Sequence, residues 1–152
     1  MQRTVDSLIA GQELFSVAAE SNVLDVARFM VEKRVGAVVV LADGRLAGIF
    51  SERDLMKRVV VAGREAAATP VADVMTKEVV TGLRGDTYGA CIEKMRARRC
   101  RHLPVVDADG RPEGMVSLRD LLQVDLSEKA EELEQITAYV TGLPTRSTGH
   151  FA

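Results

Sequence analysis

A chain of 152 residues that is 47% hydrophobic and 28% charged has the composition of an ordinary globular protein. It is long enough to bury roughly 68–70% of its unfolded surface without a disulfide or a metal. A formal charge of −2 supplies no basic face of the kind nucleic acid requires, and the two cysteines, Cys91 and Cys100, offer neither a disulfide framework nor a zinc spacing. The longest apolar run, Val35 to Ala42, falls far short of the ~20 residues that cross a bilayer. Met1 to Asp6 lacks the apolar core of a secretion signal. The chain therefore reads as cytoplasmic, with no membrane or nucleic acid among its partners.

In chain order, Val5, Leu8 and Ile9 have the spacing of a short amphipathic helix. Ser21 is placed to cap a longer helix with apolar positions Val23, Val26, Ala27 and Met30, and Gly36 is placed to end it. Ala37 to Leu41 suits a buried strand. Asp43-Gly44 signals a tight hairpin returning through Arg45 to Phe50, and a helix follows from Glu52 towards Val61. The pattern then repeats. Shifted by 66, residues 4–55 lie on 70–121 with twelve identities in 52 positions, eleven of them between 39 and 55. Val71, Val74 and Met75 match Val5, Leu8 and Ile9, and Gly63 to Thr69 reads as the connection. A lone unit of about 50 residues leaves a sheet face uncovered, so two units should share one core under pseudo-twofold symmetry. The fold class is α/β (α+β), each repeat a short sheet with two packed helices. Residues 1–66 form the first repeat, 67–125 the second, 126–142 an appended amphipathic helix and 143–152 a loose tail.

The strings Gly48-Ile49-Phe50-Ser51-Glu52-Arg53-Asp54-Leu55 and Gly114-Met115-Val116-Ser117-Leu118-Arg119-Asp120-Leu121, with Arg101-His102-Leu103-Pro104-Val105-Val106 and Val71-Ala72-Asp73-Val74-Met75-Thr76, resemble the CBS (cystathionine-β-synthase-type) repeat family over residues 4–125. The resemblance implies a tandem pair binding an adenosine-containing ligand: AMP, ADP, ATP, an NAD-type dinucleotide or S-adenosylmethionine. It implies that Asp54 and Asp120 take ribose hydroxyls and that Ser51 and Ser117 approach phosphate at helix N-termini. The backbone at Gly36-Ala37-Val38 and at His102-Leu103-Pro104 would flank the adenine. Thr87 would complete the site of Asp54, and Ser21 that of Asp120. Arg53, Arg119, Arg101 and His102 would stand near phosphates. The first repeat has Gly36-Ala37-Val38 where the second has His102-Leu103-Pro104, so its site should be the less polar.

Ser-x-x-Asp ahead of an apolar helix is also a capping-box pattern. Two occurrences at equivalent positions favour a site, and the two roles can coexist. The basic cluster Arg96, Arg98, Arg99 and Arg101 fits either a solvated helix end or an anion-facing surface. No catalytic Ser/His/Asp, Cys/His or paired-carboxylate set stands outside the repeats, so the expectation is a regulatory ligand-sensing module, not an enzyme, against a dimerisation scaffold with degenerate clefts. A homodimer is expected through Leu55, Val59 and Val60 in the first repeat and Leu121 and Leu122 in the second. The stripe Leu126, Ala130, Leu133, Ile136 or Thr137, and Val140 should dock on the module or a partner, and the regulated protein is unknown.

Overall fold

The computed structural model describes residues 3–142. The first repeat runs α1 (Asp6–Ile9), β1 (Ser16–Ala18), α2 (Val23–Lys33), β2 (Ala37–Ala42), β3 (Arg45–Ser51) and α3 (Glu52–Asp54), which passes into a π-helical stretch over Leu55–Val60. β2 is central in a three-stranded sheet, parallel to β1 and antiparallel to β3. Its residues Ala37 to Val40 are buried, as a continuous β-branched run demands. Asp43 and Gly44 both take positive φ, 52° and 74°, the conformation a two-residue hairpin matched to strand twist requires. The second repeat has a 3₁₀ turn at Val71–Asp73, then α4 (Tyr88–Arg98), β4 (His102–Val106), β5 (Pro112–Ser117) and α5 (Leu118–Thr141). β4 and β5 pair antiparallel, and Gly82 bridges Val105 in parallel where a third strand would lie.

The repeats do not superpose at one offset. Helix α2 is capped by Asn22, not Ser21: the Asn22 side chain accepts from the Asp25 amide at 2.9 Å, while the Ser21 carbonyl accepts from the Val71 amide. Thr87 caps α4 in the same way, through the Ala90 amide at 3.1 Å, so Asn22 and Thr87, 65 apart, are the equivalent pair. The bulges at Val40/Leu41 and Val105/Val106 keep that offset, and Ser51 and Ser117 restore 66. The extra residue lies in the second hairpin. There the Asp107 carboxylate accepts from the Asp109 and Arg111 amides and Gly110 takes φ 78°, a three-residue loop in place of a two-residue one. The ungapped alignment is thus one residue out across helix and first strand. Gly36 does not end α2 either. Arg34 takes the left-handed position, φ 56°, as Arg99 does after α4, φ 52°.

Each repeat's leader serves the other repeat. The Val5 amide donates to Asp86 O and the Tyr88 amide to Arg3 O; reciprocally, the Val71 amide donates to Ser21 O and the Val23 amide to Thr69 O. Val71, Val74 and Met75 lie in one core cluster with Val23, Val26, Met30, Val38, Val40, Phe50 and Val59. Asp86 accepts from Lys94 Nζ at 2.7 Å and the Leu83 amide at 3.0 Å, and these partners hold its carboxyl below the usual range. They fix the loop that leads into α4.

The chain divides into two compact units after Leu118. The second, as described, is the single helix α5, which runs unbroken from Leu118 to Thr141 and has no separate start at Leu126. A left-handed Gly142, φ 67°, closes it. Leu126, Leu133, Ile136 and Val140 are exposed. Of the residues expected on a dimer face, Val59 and Leu121 are instead fully buried. A helix residue faces core or solvent by its angular position, and the π-helical turn rotates Val59 inward. The loose tail expected over 143–152, with His150, lies outside the described residues. Among the described residues no helix is long and apolar enough to cross a membrane.

Candidate functional site

Strand β3 delivers Ser51 to the start of α3, where the chain must satisfy the free amides of a helix N-terminus. Ser51 and Asp54 form a complete capping box. The Ser51 amide and hydroxyl both donate to Asp54 Oδ2, at 2.9 and 3.1 Å, and the Asp54 amide donates back to Ser51 Oγ at 3.3 Å. Thr76 Oγ1 donates to Asp54 Oδ1 at 3.1 Å, and Arg58 Nε stands 3.8 Å from the same oxygen. Arg58 also donates to Met75 O at 2.7 Å. The π-helical turn directly after Asp54 is a rare geometry that recurs at functional sites.

Across from this carboxylate, α4 ends at the left-handed Arg99, and the turn throws Cys100, Arg101 and His102 back towards β4. The Cys100 amide donates to Met95 O. Between the two walls is a cleft of about 330 Å³ lined by Gly36, Ile49, Ser51 to Asp54 and the Thr76 bonded to them on one side, by Arg98 to His102 on the other, and by Glu78 to Val80. Both repeats contribute, and the size falls within the range of small-ligand sites. Arg53, Arg98, Arg99 and Arg101 are exposed, and among the described residues none of the four pairs with a carboxylate. Arg96, by contrast, lies off the cleft beside Glu93, at 3.8 Å. Burial pushes the Cys100 thiol above its usual range, so it is a neutral wall group rather than a thiolate nucleophile.

Of the residues singled out from sequence, Ser51, Arg53, Asp54, Gly36, Arg101 and His102 line this cleft. Ala37, Val38, Leu103 and Pro104 do not. They are buried strand residues, and Leu103 packs against Gly82. Thr87 does not line the cleft, its hydroxyl being the cap of α4. Thr76, at the end of the second leader string Val71 to Thr76, is the hydroxyl that reaches Asp54. Ser21, Ser117, Arg119 and Asp120 also lie outside the lining. Ser21 stands before the cap of α2, Ser117 pairs with His102 at the end of β5, and Arg119 and Asp120 are exposed in the first turn of α5. The structure adds Ile49, Glu52, Thr76, Glu78, Val79, Val80, Arg98, Arg99 and Cys100. The arginine cluster was the one legible signal for these.

A family model for the CBS domain matches residues 6–61 and 71–127. The chain is 35% identical over 128 residues to the CBS domain-containing protein CBSX3, mitochondrial, of Arabidopsis thaliana, a match covering 81% of this chain and 62% of that relative's length. Among solved structures, a CBS-domain protein of Burkholderia ambifaria superposes with a TM-score of 0.76 at 31% identity, covering 82% of this chain and 95% of its own. A CBS-domain protein of Pyrobaculum aerophilum, solved in complex with AMP, superposes with a TM-score of 0.71 at 26% identity, covering 78% and 89%. With two matched repeats, reciprocal leaders and a shared cleft, the chain belongs to the CBS-domain family as a tandem CBS pair.

Proposed function

We propose that this CBS pair is a regulatory module that senses an adenine nucleotide in the Asp54 cleft and catalyses no reaction of its own. The observation that carries the reading is the division of the cleft: a buried hydrogen-bonding carboxylate on one wall, and on the other three guanidinium groups, Arg98, Arg99 and Arg101, without carboxylate partners among the described residues. A ribose beside Thr76 and Asp54 with its phosphates towards Arg98, Arg99 and Arg101 satisfies both walls. Guanidinium groups bind phosphate oxygens in paired, charge-assisted hydrogen bonds. The AMP complex of the Pyrobaculum relative supports the ligand class.

Calorimetry with AMP, ADP, ATP, NAD and unphosphorylated adenosine tests this. At least one phosphorylated ligand should bind, and Arg101→Ala should weaken it by roughly 10–100-fold, the equivalent of one or two lost charge-assisted bonds. Adenosine affinity should not change. No heat with any of the five would overturn the sensing role and leave the second reading, an interaction scaffold, which the structural hydrogen bonds already held by Asp54 favour.

A further inference from the structure

The second unit presents a feature that the ligand cleft does not use. Along α5 the apolar residues Leu122, Leu126, Leu133, Ile136 and Val140 follow one another at alternating spacings of four and three, with Lys129 filling the single missing position. This is a seam on the a and d positions of a heptad, the pattern that fits a second helix side by side. A stripe meant for a broad protein core would be wider. The seam is open: Leu126 is 67%, Leu133 65%, Ile136 61% and Val140 76% exposed.

The charges beside the seam select its occupant. Asp125 and Glu132 lie along one flank, and Ala130 and Thr137 along the other. In a parallel pair of identical helices each flank meets the opposite flank of its mate, so the two acids fall beside Ala130 and Thr137 with no like charges in contact. An antiparallel pair would set acid against acid. Lys129, the one polar seam residue, is neutralised on its own helix by Asp125 at 3.1 Å. Its long stem can reach out of a two-stranded seam, which a larger bundle would close. We infer that α5 is a parallel two-stranded coiled-coil interface whose occupant is the α5 of a second copy of this chain.

Sedimentation equilibrium of the full-length chain tests the interface, with two seam variants and one control. The parent should be dimeric at tens of micromolar. Leu133→Glu should raise the dimer dissociation constant at least tenfold. Lys129→Leu should lower it at least tenfold. Glu131→Leu, on the face opposite the seam, should change it less than twofold. Orientation is read by oxidising Leu133→Cys and Glu131→Cys chains in a Cys100→Ser background. Only the first should form a covalent dimer rapidly, because only a parallel pair sets position 133 against itself. A monomeric parent, a dimer indifferent to both seam variants, or equal cross-linking at 131 and 133 would each overturn the inference. Unchanged thermal unfolding of Lys129→Leu at micromolar dilution, where a tighter dimer must melt higher, would do so as well.

Discussion

Asp54 is 7% exposed, and its two oxygens already serve the fold. Oδ2 receives both Ser51 donors, and Oδ1 receives the Thr76 hydroxyl. A carboxylate oxygen accepts about two hydrogen bonds, so only Oδ1 has room for one more. A ribose diol that uses both hydroxyls must displace Thr76. The consequence is a stability cost that a pure ligand contact would not have. Asp54→Ala leaves the Ser51 amide and hydroxyl and the Thr76 hydroxyl without their acceptor and Arg58 without its nearby carboxylate, and chemical denaturation should show a loss of about 1–3 kcal/mol. A change under about 0.5 kcal/mol would mean that the capping box is not maintained in solution. The sequence showed Ser51 and Asp54 as a pair with two possible roles. It could not show Thr76, because nothing in residue spacing says that the carbonyl and amide of Thr76 pair with Ile49 at 3.0 and 2.8 Å and carry its hydroxyl to the carboxylate.

At the scale of elements, what was legible followed from strong local chemistry. The β-branched run made β2, Asp43-Gly44 made the turn, and the apolar spacing of Val23, Val26 and Met30 made α2. What was not legible was register. The identities Val39/Val105 and Val40/Val106 are both one residue out, because similar side chains recur along a strand while the ladder is fixed by turn length. The pairings Val40 with Gly48 and Val105 with Gly114 are the true equivalents. The same error moved the cap from Asn22 to Ser21, and it paired Gly36 with His102 where the structure pairs it with Arg101, since each of these two carbonyls accepts from the first amide of the next helix. The pairing of β3 with the second leader has a steric requirement at Gly48. A Cβ there would sit 2.6 Å from Thr76 O and 2.7 Å from Met75 Sδ. The first of these is backbone that cannot swing aside. Gly48→Ala should therefore destabilise by about 1–3 kcal/mol in a thermal melt. It should also weaken ligand binding, since Thr76 must retreat from Asp54. Gly85→Ala, with open space around it, is the matched control, and equal melting of the two variants would refute the close approach.

Within the first unit the two repeats are bound by exchange rather than by simple contact. The leader at Val5 to Ile9 lies against the second repeat, where a Cβ on Gly114 would meet Ile9 at 2.7 Å. The leader at Val71 to Met75 fills the first repeat's own core. Neither half can bury its apolar residues with its own sequence, because the residues that close each core are coded in the other. The expected consequence is a single cooperative transition for both repeats, with far- and near-UV signals coincident. A chain of residues 1–66 retains Val23, Val26, Met30, Val38, Phe50 and Val59 but lacks Val71, Val74 and Met75, and it should show no cooperative unfolding at all. The intact chain supplies a second test that does not depend on a fragment. Val71 is fully buried and belongs by sequence to the second repeat, so Val71→Ala should lower the stability of the first repeat's amides to hydrogen exchange, at β2 above all, by about 1–3 kcal/mol. Protection at β2 that stays unchanged while β4 alone loosens would show two independent repeats, and the exchange of leaders would then contribute nothing to the stability of the pair.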